Sequence, residues 1–290
     1  MNIRNFFGML VNALVNRARR LLVPYLLRRS ARTYPKIARN VSRLTKGTLI
    51  KHGLARSLWL EAEATRYVAM HTSIPVPAIY DFWTVDDGRA CLVMEYKDGK
   101  TLHHQWRHLS VDQKRTVLRI LRSFLDELHA LRQPHPRGMI GSVSGGAFFD
   151  YRISGQSLYG PFRDEAAYND WRISTFSFFG ERSPSAKLRL QQLRDEMAND
   201  HQIIFTHGDI TRRNILIRVV GEGANDVSVV AILDWEQAGW RPEYWETAKF
   251  MFGNPSASEW AILGGQEIFH EYGAEVQRED ELLLISGPPP

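Results

Sequence analysis

The chain has 290 residues, 44% apolar and 24% charged. These are ordinary globular proportions, enough for a large core, and they exclude a mainly disordered, collagen-like or coiled-coil protein. Its single cysteine, Cys91, excludes an internal disulfide framework and a cysteine-rich zinc site, and fits a reducing, cytoplasmic setting. The net charge of +5 is uneven: residues 1–60 hold 13 Lys and Arg and no acid, and the rest hold 24 bases against 32 acids. A nucleic-acid surface would need bases across the folded body, so no nucleic-acid partner is expected.

From Ile3 to Leu22 the apolar positions (Ile3, Phe6, Phe7, Leu10, Val11, Leu14) follow helical spacing, with Asn5, Asn12, Asn16, Arg19 and Arg20 opposite. Pro24 is expected to end or kink this helix. The asparagines and the arginines at 17, 19 and 20 break the apolar run, which argues against a transmembrane span. No A-x-A-like site follows it, which argues against a secretory signal. Three readings remain: a helix packed on the body, a peripheral membrane contact through residues 2–23, or an Arg-rich mitochondrial presequence.

Asn40–Leu44 and Thr48–Lys51 read as strands around a short turn, and Leu58–His71 as a helix stopped by Pro75 and Pro77. Ala78–Val85 and Ala90–Tyr96 alternate around Asp86 to Arg89, a hairpin pattern. Ser110–Leu131 reads as a long helix with Ser110 as its N-cap, and residues 134–160 as loop. The run Gly141 to Gly146 neither follows a strand nor opens a helix, so it is no phosphate cradle.

The chemistry concentrates between residues 203 and 246. A short apolar strand, Ile203–Phe205, leads into THGDITRRN (206–214). The strand Ile215–Val220 follows, then a turn over Gly221–Asp226, then the strand Val227–Leu233, which delivers Asp234. One carboxylate to deprotonate a hydroxyl, with an amide oxygen and a second carboxylate for Mg²⁺, is the set phosphoryl transfer needs.

The stretch HGDITRRN, with LDWEQAGWRPEYWE beyond it, resembles the aminoglycoside phosphotransferase/choline kinase-like superfamily, in particular its fungal branch of small-molecule kinase-like proteins. The resemblance extends to LIKHG (49–53), LEAEATRYV (60–68), LVMEYKDGKTL (92–102) and most of residues 36–286. It implies an α+β, two-lobed protein-kinase-like fold. A small antiparallel-sheet N-lobe would span 36–96 and a mostly helical C-lobe 97–290, with residues 1–35 as a basic extension. It implies ATP- and Mg²⁺-dependent transfer of the γ-phosphoryl group to a hydroxyl of a small molecule. Residue by residue, Asp209 matches the general base, Asn214 and Asp234 the metal ligands, and Lys51, at a strand end, the lysine on the α/β-phosphates. Glu61, rather than Glu63, matches that lysine's partner. The backbone of Glu95 and Lys97 matches the adenine-reading hinge, and His207 a brace of the catalytic loop.

One departure stands out. Residues 37–47 contain no G-x-G-x-x-G, the pattern that brings backbone close to phosphates. A catalytically silent, metabolite- or partner-binding protein of the same fold is therefore the alternative. Trp235, Trp240, Tyr244 and Trp245 are expected in the core; Phe148, Phe149, Tyr151, Tyr159 and Phe162 either line a substrate pocket or, by default, pack in the core. His103, His104 and His108 are expected at the surface or in packing, without metal.

Overall fold

The computed structural model describes residues 18–19, 22–86, 88–154, 157–177, 183–252, 254 and 257–286. The chain divides into two compact units: Met1–Leu58 with Ala78–Lys97, and Trp59–Pro77 with Asp98–Pro290.

The smaller unit is built on a four-stranded antiparallel sheet in the order β1-β2-β4-β3. Its strands are β1 (Val41–Thr45), β2 (Thr48–Leu54), β3 (Ile79–Asp86) and β4 (Arg89–Glu95). Thr45 pairs with Thr48 across a two-residue turn, and Asp86 with Arg89 across another. In the second turn Gly88 takes φ +89°, a conformation glycine adopts without the Cβ penalty of other residues. β2 runs three residues further than the sequence suggested, because Gly53 stays in the ladder opposite Ala90. Lys51 is therefore mid-strand, between Val41 and Leu92, and not at a strand end.

One face of this sheet buries Leu44, Ile50 and Cys91, with Trp83 and Val93 beside them. Residues 22–30 form a helix, α1, and its Val23, Leu26 and Leu27 pack against the same cluster. Residues 18 and 19 are also helical, and the Arg19 guanidinium reaches both Asp81 carboxylate oxygens at 2.6–3.0 Å while lying 4.9 Å from the Trp83 ring centroid. Pro24 lies inside the helix 22–30 and not at its end; residues 20 and 21, where the helix expected over 3–22 would stop or kink, lie outside the described residues. Most of the helix expected over 3–22 lies outside the described residues.

α2 (Ala55–His71) starts three residues earlier than the periodicity suggested. From Trp59 onward, it and the extended stretch to Pro77 belong to the larger unit. A physical reason is visible in the stretch that follows α2: the Pro75 carbonyl accepts the Ile232 N–H at 2.8 Å, and Ala64, Val68, Ile74 and Val76 sit in the larger unit's core. That core is shared with α4 (Val111–His129), whose Val117, Leu118, Leu121, Leu125 and Leu128 recur at helical spacing. Ser110 caps α4 as expected, in a reciprocal box with Gln113. Two small sheets complete the frame: β5 (Lys100–Thr101), β7 (Ile215–Val219) and β8 (Val227–Ile232) in the order β5-β7-β8, and β6 (Ile203–Thr206) paired with β9 (Gly239–Pro242).

Trp235, Trp240, Tyr244 and Trp245 are buried, as are Phe148, Phe149 and Tyr159. Tyr151 departs from the expected core set and is 45% exposed; it opens a one-turn helix, Tyr151–Ser154, inside the stretch read as loop. Among the described residues, no helix is long and apolar enough to cross a membrane.

Candidate active site

The loop from His207 to Asn214 hangs between β6 and β7, and its first residues are held by one buried carboxylate. Glu246, on the helix Trp245–Phe252, accepts the His207 N–H at 2.6 Å and the Gly208 N–H at 3.1 Å. Burial pushes its carboxyl up to about 7, against the pull of those two amides. Gly208 takes φ +76°, and a Cβ there would lie 2.9 Å from the Gln237 carbonyl oxygen, so the loop packs directly on the turn Trp235–Gln237.

His207 braces the loop. Its Nε2 bonds the Leu233 carbonyl at 3.0 Å, and its Nδ1 accepts the Asp209 N–H at 3.0 Å. An Nδ1 that accepts has no proton, so this imidazole is neutral and protonated on Nε2. Burial pushes its pKa down to about 4, consistent with that state.

Asp209 and Asn214 face each other. The Asn214 amide nitrogen donates to Asp209 Oδ2 at 2.8 Å and to the Asp209 carbonyl at 3.0 Å. With Nδ2 spent on Asp209, Oδ1 is the Asn214 atom available to a cation. The Asn214 carbonyl accepts the Leu233 N–H at 2.8 Å, so Asp234 emerges from β8 next to Asn214. Asp234 sits in the left-handed region at φ 68°, ψ 58°, which a residue other than glycine occupies only where its surroundings hold it there. One carboxylate oxygen each from Glu61, Asp234 and Glu236 lies within 4.8 Å of the others. These are hard oxygen donors, the kind that suits Mg²⁺. The Tyr151 hydroxyl donates to Glu236 Oε1 at 2.9 Å.

Burial lifts the Asp209 carboxyl to about 6; Lys249 opposes the rise and Asp234 adds to it. The Lys249 ammonium is itself buried, bonded to Asp150 Oδ1 at 2.6 Å and Gln237 Oε1 at 3.1 Å.

In the smaller unit Lys51 is half-buried. The Glu95 N–H donates to the Ala78 carbonyl at 2.8 Å, which narrows any nucleotide contact of Glu95's backbone to its carbonyl. Its side chain accepts from the Ala78 N–H at 3.1 Å and from Lys97 Nζ at 2.9 Å. His103, His104 and His108 are exposed, as expected.

The model of the phosphotransferase enzyme family matches residues 15–281. The chain belongs to that family. Solved structures resemble it at low identity. The GDP and kanamycin complex of an aminoglycoside 2''-phosphotransferase aligns with 90% of this chain and 86% of its own at 12% identity and a TM-score of 0.56. An aminoglycoside 3'-phosphotransferase of type VIII aligns with 89% of this chain and 99% of its own at 16% identity and a TM-score of 0.51. The shared feature is the α+β, kinase-like fold expected from HGDITRRN and its surroundings. No curated protein matches.

Sequence reasoning assigned no role to four residues that shape this phosphotransferase's loop. Glu246 lay within the quoted LDWEQAGWRPEYWE, and its only signal was a charge among aromatic residues. Lys249 and Gln237 look like ordinary polar positions until the fold buries them. Asp150 lies 99 residues from Lys249 in sequence, so nothing local could pair them.

Proposed function

We propose that this phosphotransferase transfers the γ-phosphoryl group of ATP to a hydroxyl of a small molecule, with Mg²⁺ as cofactor. The observation that carries the reading is the pairing of Asp209 with Asn214 at 2.8 Å on a loop tied through Leu233 to Asp234. Asp209, largely ionised near neutral pH, accepts the hydroxyl proton as that oxygen bonds to the γ-phosphorus; the bond from phosphorus to the β–γ bridging oxygen breaks and ADP leaves. Asn214 Oδ1 and the Asp234 carboxylate hold the cation, and Asn214 Nδ2 keeps the base oriented. Bound Mg²⁺ supplies charge neutralisation at the phosphates. On the sequence resemblance, Lys51 contacts the α/β-phosphates with Glu61 as its partner, and the Glu95 carbonyl and Lys97 amide read adenine.

The absence of a glycine-rich loop before Lys51 favours one other reading, a silent protein of the same fold. One experiment separates the two: melting of wild type, Asp234→Ala and Asp209→Asn with ATP, in Mg²⁺ or in EDTA, alongside ADP release with a panel of alcohols. Catalysis requires a larger ATP shift with Mg²⁺ than with EDTA, lost in Asp234→Ala. It also requires that Asp209→Asn keep the shift and lose turnover. Equal, metal-independent shifts in all three proteins, with no ADP release, would establish the silent reading.

A further inference from the structure

The catalytic loop carries two arginines, Arg212 and Arg213, between Asp209 and Asn214. The loop is joined to a second basic segment. The His103 N–H donates to the Arg212 carbonyl at 2.8 Å, where the short helix Leu102–Gln105 begins. That helix runs into the turn Trp106–His108, which holds Arg107. The Arg212 guanidinium lies 5.8 Å from the Trp106 ring centroid, a cation–π contact that places it at this turn. His103, His104, Arg107, His108 and Arg213 are exposed, and Arg212 is half-buried.

The charges here are unbalanced. Arg213, Arg212 and Arg107 all lie close enough to His103 to act on it electrostatically. Among the described residues, neither Arg107, Arg212 nor Arg213 forms a salt bridge. The acid acting on Arg212, Glu259, already binds Lys114 Nζ at 2.9–3.0 Å and the Trp106 indole N–H at 3.0 Å. All this stands in a chain whose residues beyond 60 carry more acids than bases. Like charges gathered at one edge raise the local potential, and an anion relieves it. Guanidinium forks suit phosphate and carboxylate geometry in particular.

We propose that the surface formed by His103, Arg107, Arg212 and Arg213 binds the anionic group, phosphate or carboxylate, of the hydroxyl acceptor. This rests on the phosphotransferase reading above and narrows it: the acceptor is an anionic alcohol, not a polycation. A cationic amine brought to this loop meets four like-charged or protonatable groups, whereas an alcohol bearing an anion is drawn to the loop that carries Asp209.

The test is titration calorimetry on the full chain with saturating Mg²⁺ and a non-hydrolysable ATP analogue. The probes are glycerol 3-phosphate, glycerate, glycerol, choline and inorganic phosphate. The two anionic alcohols are expected to bind at least tenfold more tightly than glycerol or choline, more weakly as salt rises. The stronger of the two tells phosphate from carboxylate. Arg213→Glu, and separately Arg107→Glu outside the loop, are expected to weaken them at least tenfold. Circular dichroism and the melting curve show that each variant is folded. Binding of the analogue itself, measured first, reports on the phosphotransferase reading independently. No binding of either anionic alcohol to a protein that binds the analogue would overturn the proposal. So would undiminished binding by both variants, or a preference for choline. Binding of a polyribonucleotide but of none of the small anions would also overturn it, in favour of a nucleic-acid surface.

Discussion

The proton missing from Nδ1 of His207 is what allows the Asp209 amide to be satisfied in a fully buried setting. Protonating that nitrogen removes an acceptor, leaves the amide unpaired and places a charge in the core. The linkage follows from the direction of the shift. The unfolded chain binds this proton near pH 6.5 and the folded one not until about 4, so between those values the unfolded state holds more protons. The stability His207 provides is present above about pH 6.5 and lost as pH falls toward 4. Glu246 has the opposite sign, since its carboxyl is raised to about 7 and its contribution fades as pH rises through the window below that. Wild type alone would mix the two. The unfolding free-energy difference between wild type and His207→Gln isolates the histidine, and it should shrink by about 1.5 kcal/mol between pH 6.5 and 5. Urea melts at these two pH values measure it, and a constant difference would show that His207 is not linked to acid unfolding. The role of His207 as a brace came from the resemblance of HGDITRRN to the family's catalytic loop. Its dependence on Glu246 was not legible, because that partner is 39 residues away on a helix whose sequence reads only as a core segment.

At the scale of elements, the loop's shape is set by what lies behind it. Gly208 needs its left-handed conformation and the space a Cβ would take from the Gln237 carbonyl. Gly208→Ala should therefore cost about 1–3 kcal/mol from the backbone conformation alone, and more from the displaced turn. A melting curve several degrees below wild type is expected, together with a greater loss in kcat than in KM for ATP, because the strained peptide directly precedes Asp209, whose amide is held by His207 Nδ1. A variant that melts and turns over like wild type would mean that the turn Trp235–Gln237 yields freely. The order of the strands in the smaller unit was readable from alternation, and the end of α2 from Pro75 and Pro77. Boundaries were misread where one residue carried two signals. Gly53 looks like a strand terminator yet pairs with Ala90, and Pro24 looks like a helix terminator yet lies within residues that dock through Val23, Leu26 and Leu27. Tertiary packing decides such positions, and a local pattern cannot contain it.

For the whole molecule, the basic N-terminal stretch is where sequence and structure lead to different expectations. Read alone, residues 1–35 form an extension, and a chain starting near Arg32 should fold and lose any affinity for anionic vesicles. The structure places part of that stretch in the smaller unit's packing. Val23, Leu26 and Leu27 cover Leu44, Ile50 and Cys91, and Arg19 grips Asp81 beside Trp83. Leu22 and Tyr25 remain more than half exposed, so a single face of α1 is engaged. Three half-buried side chains of this kind stabilise by roughly 2–4 kcal/mol together. Removing them also exposes the sheet face they cover, which favours association between chains. A truncation starting at Arg32 should therefore melt several degrees lower than the full chain and aggregate on warming. Leu26→Asp, which keeps the basic residues and damages the packed face, should reproduce most of that loss. Vesicle flotation of the full chain supplies the contrast. A membrane role for residues 2–23 predicts salt-sensitive binding to anionic vesicles that the truncation abolishes, with melting unchanged in both variants. If both variants melt like the full chain, the contacts of α1 with the sheet contribute nothing to stability, and the positive charge of this stretch needs a partner outside the protein.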